Sequence, residues 1–230
     1  MLRDGADMID IGGQSTRPGS ERIDIEEELS RVIPMVQSLN REFPAAVISI
    51  DTFFSKVAAE SVAAGASIVN DISCGTEDEN MLSVVADLQV PYVCMHAQGI
   101  PGTKQQKPVY ENVTRQVLDF FIEKIAACQI AGIKDVIIDP GFGFGKTSQH
   151  NFELLKNLSI FKMLDKPILL GISRKSTIYK TLNITPGEAL NGTTVLNTVG
   201  LLNGANILRV HDVKEARETV LLLEEYNSYM

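Results

Sequence analysis

Short, almost uninterrupted runs of apolar and β-branched residues recur along this chain, separated by longer amphipathic stretches. A run that is apolar at every position is typical of a strand buried on both faces, as in a parallel sheet covered by helices. The stretches Glu26–Leu39, Val113–Ala131 and Lys214–Tyr226 carry apolar stripes with the helical period instead. The strand-like runs are Met8–Ile11, Val47–Ile50, Ile68–Val69, Tyr92–Met95, Val136–Ile138, Ile168–Ile172 and Ile207–Val210.

The order of a strand followed by a helix repeats about seven times, with no linker and no change in composition. This order predicts one parallel α/β domain over residues 1–230. A doubly wound sheet and a barrel both fit it. The number of repeats favours a TIM (β/α)8 barrel, which has eight units, so we expect an incomplete barrel of about seven β-α units.

Most of these runs end in a polar or ionisable residue. Asp51, Asn70, His96, Asp139 and His211 each follow a strand-like run directly or after one residue. The run that ends at residue 172 is followed by Ser-Arg-Lys-Ser, residues 173–176. Because the carboxyl ends of barrel strands converge on one face, which holds the active site, these side chains are candidate functional residues.

Charge and hydropathy exclude some classes of partner. The formal net charge of −8 argues against a nucleic-acid binder held by broad electrostatics, since a polyanion would be repelled. No apolar run approaches the roughly 18–20 residues that span a membrane, and no signal-peptide pattern follows Met1. We therefore expect a cytoplasmic protein with no nucleic-acid partner and no membrane partner.

The three cysteines are far apart in the sequence. Cys74, Cys94 and Cys128 form no C-x-x-C motif and no zinc-type spacing with histidine. We expect all three to be buried, reduced thiols, as is usual in a cytosolic protein.

A set of short motifs follows one order along the chain. Each motif alone is weak, but together they cover almost all 230 residues, and the ordered set resembles the dihydropteroate synthase family, which joins a pterin to p-aminobenzoate. Gln14 departs mildly from the family, which commonly has Glu there. The motifs are residues 9–19 (IDIGGQSTRPG), 49–52 (SIDT), 70–72 (NDI), 95–96 (MH), 139–146 (DPGFGFGK), 173–176 (SRKS) and 209–213 (RVHDV).

The resemblance implies a pterin pocket built on strand ends. It assigns Asp51, Asn70 and Asp139 to the pterin, and a carboxylate can accept from a ring N–H and the adjacent amino group at once. For Asp51 and Asn70 the residues alone also allow another reading, the N-cap of a following helix. The apolar walls that the resemblance implies are Ile72, Met95 and Phe144.

Residues 139–146 superficially suggest a phosphate-binding loop. That interpretation fails because Pro140 stands where the G-x-x-x-x-G-K-[ST] pattern needs Gly, and because Asp139 would repel phosphate. The glycines instead favour a tight loop that places Phe144 near a ligand.

Cationic residues are expected around the leaving group. Arg209 and His211 lie two residues apart, hence on one face of a strand, and the resemblance assigns them to diphosphate. It implies that Lys175 contacts both the pterin and p-aminobenzoate. A dissociative displacement is implied, in which diphosphate leaves before the amine attacks, with Lys175, Asp51 and Asp139 as the catalytic set.

The p-aminobenzoate subsite is expected at two places. Ser176 is predicted to open a helix, where a hydroxyl and backbone N–H groups suit a carboxylate. Thr16 and Arg17 lie on a Pro/Gly-containing loop expected to close over the site, with Lys175 as the shared contact. Arg174 is expected to be structural.

The resemblance also implies a magnesium ion, a homodimer and sensitivity to sulfonamides. The family's magnesium ligand is an Asn in a first strand and loop of the type N-x-T-P-D-S-F-S-D-G-G. No such segment precedes Met1, so we expect a chain that lacks the first strand and has weakened metal-dependent activity.

Three alternatives stay open from the sequence. A pterin-binding methyltransferase of the same barrel type would not need the cationic groups at residues 173–176 and 209–211. An aldolase-type barrel would use Lys175 as a Schiff base. The third is a truncated, catalytically impaired homologue.

Overall fold

A computed structural model of the protein describes residues 1–15, 21–98 and 108–229. Parallel strands alternate with helices along the chain, as the apolar runs predict. The strands are β1 Met8–Gly12, β2 Val47–Asp51, β3 Ile68–Asp71, β4 Tyr92–Met95, β5 Val136–Asp139, β6 Leu169–Leu170 and β7 Ile207–Leu208. The helices are α1 Ile25–Glu42, α2 Ser55–Ala64, α3 Met81–Leu88, α4 Val113–Ala131, α5 Ser148–Lys156, α6 Ser176–Leu182, α7 Leu190–Leu202 and α8 Val213–Ser228.

The strands pair in chain order, each parallel to the next. β1 to β5 form one sheet, and β6 and β7 form a two-stranded sheet. The backbone bridge between Ile138 and Ile168 joins the two sheets. Asn206 strengthens the second sheet, because its side-chain oxygen accepts from the Ile168 N–H at 2.9 Å. The prediction of about seven β-α units is confirmed, and among the described residues the hydrogen-bonded ladder is not closed between β7 and β1.

Two apolar layers follow from the alternation of side chains along each strand. Ile48, Ile50 and Val69 point outward and pack against the helices in the main core. Between them, inward-facing side chains fill the barrel interior: Ile68, Val93, Ile137 and Leu169, with Val47 and Ile207 packed against them. Because the period is two, the residue two positions after each inward apolar residue also faces inward, at the carboxyl end of the strand.

Two long helices, α1 and α4, begin at side-chain caps. Asp24 accepts the backbone N–H of Glu27 at 2.8 Å at the start of α1, and Asn112 accepts that of Arg115 at 2.8 Å at the start of α4. Gly132 ends α4 in the left-handed conformation. These local signals fix where each helix leaves the sheet. Within the described residues, no helix is both long and apolar enough to cross a membrane.

The expectation of three reduced cysteines is wrong for two of them, since Cys74 and Cys94 form a disulfide. Asp71 of β3 is the register partner of Cys94 in β4. The chain then turns back, with the Cys74 N–H donating to the Asp71 carbonyl at 3.2 Å, so the two Cα atoms lie 4.7 Å apart. A separation of 20 residues in sequence hides this proximity, which exists only in the folded sheet. Cys128 is a free, buried thiol, as expected.

Candidate active site

Hydrogen-bond acceptors gather at the carboxyl ends of β2, β3 and β5. Asp51 and Asp139 are the last residues of β2 and β5, and Asn70 lies in β3. Asn70 and Asp139 are buried, which costs both side chains their contact with water. The alternative role as helix N-caps is wrong, because the N-cap of α2 is Phe54 and Asn70 is a strand residue. Polar groups buried at this cost are candidates for ligand binding.

Asp51 belongs to a cluster of opposite charges at the mouth of the barrel. The Arg209 guanidinium donates to Asp10 at 2.6 Å and to Asp51 at 3.0 Å. Asn70 Nδ2 lies 3.3 Å from Asp10 Oδ2. Burial, together with the charge of Asp10, raises the pKa of Asp51 to about 7, and Arg209 opposes this shift. Near neutral pH, Asp51 can therefore exchange a proton when its neighbours change.

The side chains of Asp139 and Lys175 both approach Gly171. A methyl group placed on Gly171 would be 3.8 Å from Lys175 Nζ and 3.9 Å from Asp139 Oδ2. Burial raises the pKa of Asp139, and the nearby Lys175 charge acts against this. Burial lowers the pKa of Lys175 to about 8, with the Asp139 carboxylate opposing the shift. The ammonium also donates to the Phe142 carbonyl.

The predicted apolar walls come together beside these charges. Ile72, Met95 and Phe53 form a separate buried cluster, and Phe144 packs against it. The Lys175 ammonium lies 4.5 Å from the centre of the Phe144 ring. A flat, partly aromatic ligand could occupy this corner, with apolar contact on its faces and acceptors along its edge.

His211 and Arg174 have different surroundings, although both follow short strands. The Ser173 hydroxyl lies 3.1 Å from His211 Nδ1, and the His211 N–H donates to it at 3.2 Å. Burial lowers the pKa of His211. Arg174 points away and pairs with Asp212 through two bonds of 2.6 and 2.8 Å, which fits the structural role expected for it.

The residues predicted for p-aminobenzoate are only partly described. Ser176 is the first residue of α6, directly after Lys175. Thr16 and Arg17 lie outside the described residues. Just before them, Gln14 accepts from the Ile23 N–H at 2.9 Å and donates to the Glu21 carbonyl at 3.0 Å. An amide can make both contacts at once, whereas the Glu common in the family could only accept.

Sequence reasoning missed two residues of this region. Asp10 is an inward-facing acid in β1, and its signal was a single charged residue inside an otherwise apolar run. Lys146 was considered only as part of a failed phosphate-loop pattern, yet its ammonium is buried among backbone carbonyls. Neither role follows from a motif, because both depend on neighbours distant in sequence.

A protein-only metal site is not present in the described part of the chain. Within residues 1–15, 21–98 and 108–229, no three His, Cys, Asp or Glu side chains are arranged to hold a metal ion. Asp10 and Asp51 are close, but Arg209 already neutralises them. The described residues therefore do not fit the predicted magnesium ion, and we derive no chemical step through it.

Comparison with known proteins gives consistent matches to this sequence and fold. The family described as pterin binding enzyme matches residues 1–211. The dihydropteroate synthase of Escherichia coli K12 is 44% identical over 226 residues, covering 97% of this chain and 79% of that protein.

Two solved structures extend the comparison to the fold. The Yersinia pestis dihydropteroate synthase in complex with a sulfonamide drug has a TM-score of 0.95 at 40% identity, covering 99% of this chain and 82% of that one. The Xanthomonas albilineans enzyme in complex with 7,8-dihydropteroate has a TM-score of 0.88 at 35% identity, covering 98% and 81%.

The fold, the inward-facing acceptors and the cations beside them define a pterin-binding enzyme of the TIM-barrel type. The chain belongs to that family and, within it, to the dihydropteroate synthases.

Proposed function

We propose that this chain condenses (7,8-dihydropterin-6-yl)methyl diphosphate with p-aminobenzoate to give 7,8-dihydropteroate and diphosphate. The observation that supports the proposal most strongly is that hydrogen-bond acceptors lie on one side of the site and cations on the other. Acceptors on β2, β3 and β5 face cations that follow β6 and β7. The proposed substrate has N–H donors at one end and a polyanion at the other, so it matches this division.

The pterin ring would lie against Met95 and Phe144, with its edge toward Asp139 and Asn70. A buried carboxylate that accepts from two N–H groups is stabilised in its charged form, which offsets the burial that now raises the pKa of Asp139. The short distance of Lys175 from Phe144 places a positive charge beside the ring. Ile72 would close the pocket below.

Departure of diphosphate is the step that needs positive charge. The C–O bond at the pterin methylene breaks, and its electron pair leaves on oxygen. Arg209, His211 and Lys175 are the groups that would stabilise this growing negative charge. To do so, Arg209 would leave its contacts with Asp10 and Asp51. Arg209 would then bind diphosphate, and the two carboxylates would become free to accept from the pterin.

The amine nitrogen of p-aminobenzoate then supplies the electron pair for the new C–N bond and loses one proton. We assign its carboxylate to Ser176, with Lys175 near the amine. Thr16 and Arg17 stay predictions for this subsite. Magnesium also stays a prediction, since it rests on the resemblance and the described residues do not hold it.

The direct test is to incubate the purified chain with the pterin diphosphate and p-aminobenzoate and to follow 7,8-dihydropteroate. We expect product in a one-to-one ratio with diphosphate, and competition between a sulfonamide and p-aminobenzoate. Binding of pterin without any condensation would favour the methyltransferase or the catalytically impaired homologue, and methyl transfer to or from the pterin would single out the methyltransferase. Trapping of Lys175 by borohydride with a carbonyl substrate would favour the aldolase alternative.

We also propose that the protein is a homodimer. Large apolar side chains are exposed on two helices that pack against each other: Val195 and Leu202 of α7, and Leu221, Leu222 and Tyr226 of α8. Exposed apolar clusters of this kind mark association surfaces. Sedimentation equilibrium should give twice the chain mass of 25.2 kDa, and Leu222→Asp should shift it toward the monomer.

A further inference from the structure

The ammonium group of Lys146 is surrounded by hydrogen-bond acceptors. Its Nζ lies 3.1 Å from the His96 carbonyl, 3.0 Å from that of Gly141 and 3.1 Å from that of Phe144. The fourth neighbour is His96 Nδ1, at 2.8 Å. An ammonium has three protons and no acceptor, so this arrangement uses its full donor capacity.

The carbonyls belong to two different segments of the site. His96 directly follows Met95, and Gly141 and Phe144 belong to the loop after β5. Met95 and Phe144 are the two apolar walls between which the pterin ring is proposed to lie. Lys146 therefore ties together the backbone of both walls.

We propose that Lys146 is a positioning residue that fixes the spacing of Met95 and Phe144, and thereby the affinity for the pterin ring, without touching the ligand. The proposal deepens the proposed function and rests on it. The ligand class is the ring itself, with or without diphosphate.

Close backbone packing makes the loop dependent on this ammonium. A methyl group on Gly141 would lie 1.9 Å from the His96 carbonyl oxygen, and one on Gly145 would lie 2.1 Å from that of Gln98. The loop thus lies directly on the backbone of residues 96–98. Without Lys146, three carbonyl oxygens would converge on a buried point that contains no donor, and the segments would move apart.

The charges around Lys146 agree with this role. Burial lowers its pKa to about 7, the Asp139 carboxylate raises it, and Lys175 lowers it further. His96 faces it as a neutral acceptor, because burial and the Lys146 charge lower the pKa of His96 to about 3. The ammonium is stabilised by the dipoles of the three carbonyl groups and by the charge of Asp139, which acts without a direct contact.

The test compares Lys146→Met with Lys156→Met, which makes the same change on the exposed end of α5. For Lys146→Met we expect roughly 10- to 100-fold weaker binding of a pterin without diphosphate, a loss of the order that unpaired buried carbonyl groups cause. Binding of inorganic diphosphate, which uses Arg209 and His211, should be unchanged. Lys156→Met should leave both affinities unchanged.

Equal losses for pterin and inorganic diphosphate would mean general damage to the fold and would overturn the proposal, as would unchanged pterin affinity in Lys146→Met. If the unsubstituted chain binds no pterin, the proposed function fails as well, so the two failures are distinguishable.

A measurement on the unsubstituted chain keeps the proposal testable if Lys146→Met does not fold. Nitrogen NMR of His96 at pH 6, below the pKa of Lys146, should give an unprotonated Nδ1 and a protonated Nε2, because a charged Lys146 can only donate to the Nδ1 atom 2.8 Å away. A proton on Nδ1 would contradict the contact and overturn the proposal.

Discussion

The two sheets of the barrel differ in both length and charge. In the five-stranded sheet every strand has four or five residues, and its ends carry Asp51, Asn70 and Asp139. β6 and β7 have two residues each, and the segments after them carry Lys175 and Arg209. The long strands thus hold the acceptors and the short strands precede the cations.

This difference suggests how the site is assembled. The acceptors lie on strands with continuous backbone pairing, whereas the Arg209 side chain is held by ion pairs to Asp10 of β1 and Asp51 of β2. An ion pair can exchange one partner for a ligand, while a strand ladder cannot move without breaking several bonds. We infer that the pterin side is rigid before binding and that the diphosphate side reorganises on binding.

The largest effect is expected from removing the cation that stands between the two sides. Lys175→Ala should lower the rate of dihydropteroate formation at least about 100-fold, because a charge beside the reacting centre is lost. The fold should survive, since Lys175 packs against a loop carbonyl and a ring and not into the core. Circular dichroism checks the fold, and Lys180→Ala on α6 is the matched control. Near-normal turnover would contradict the role of Lys175.

Reducing the disulfide tests how rigid the five-stranded side is. Loss of the Cys74–Cys94 bond should lower the free energy of unfolding by about 3 kcal/mol, because a cross-link over a segment of this length restricts the unfolded chain. Urea unfolding with and without a reductant measures the change. A variant with both cysteines replaced by Ala should not respond to reductant.

A second experiment tests whether the disulfide forms in the cell. The predicted cytoplasmic location is a reducing compartment in which disulfides are rare. Mass spectrometry of alkylated protein purified without reductant will count the reactive thiols. Three alkylated cysteines would contradict the disulfide and leave the expectation of reduced thiols in place.

Replacing Arg209 should separate the two sides. Arg209→Ala is expected to weaken binding of the pterin diphosphate by ~1.5–3 kcal/mol, the range for hydrogen bonds to charged groups. Because Arg209 also contacts Asp51, its loss should raise the pKa of Asp51 further and reduce binding of a plain pterin near neutral pH. That second loss should disappear as the pH rises. Calorimetry on both ligands, with Arg115→Ala as control, decides this.

The smallest effect concerns protons. Asp51 has a pKa raised to about 7, and a ring N–H donor needs its ionised form. Affinity for a plain pterin should therefore fall about tenfold per pH unit below 7, as Asp51 gains its proton. Asp51→Asn should bind more weakly and lose this dependence. A flat profile in the unsubstituted chain would exclude Asp51 from the pocket.

Stability should respond to the same group with the opposite sign. The pKa of Asp51 is raised on folding, so the folded state holds its proton more tightly than the unfolded state. The stability that this contributes is present below the unfolded pKa and is lost as the pH rises through about 7. The pH at which the free protein is most stable and the pH at which it binds pterin best should therefore differ.

Much of the fold followed from the sequence, for a specific reason. A strand buried on both faces is apolar at almost every position. Runs such as Tyr92–Met95 and Val136–Ile138 can therefore be recognised as strands from their own residues, without knowledge of the strands beside them. The polar residue after each run could be predicted too, because the same pattern marks the end of the strand. The length of each strand was predicted less well, since only Leu169 and Leu170 of the run at 168–172 are strand residues.

Contacts across the barrel could not be predicted in this way. The pairs Arg209–Asp10 and Arg209–Asp51 join residues 199 and 158 positions apart. The disulfide depends on a turn that returns Cys74 toward the partner of Cys94. Such contacts arise only when the chain has folded, and a local pattern of residue types does not predict them.

The backbone of residues 141–145 also limits which sequences can be inherited there. Gly141 and Gly145 have positive φ angles of 69° and 59° and lie against backbone oxygens that cannot yield. Gly143 also has a positive φ, of 83°, but an added methyl group there would meet only the flexible Lys175 side chain, at 3.2 Å. A saturation library should therefore accept apolar variants at Phe142 and Phe144, few at Gly143 and none at the outer glycines. Amino-acid substitutions in this loop are therefore expected mainly at Phe142 and Phe144. Of these two, only Phe144 lines the proposed pterin pocket, so a substitution that gives resistance to a pterin-site inhibitor would arise at Phe144 or outside the loop.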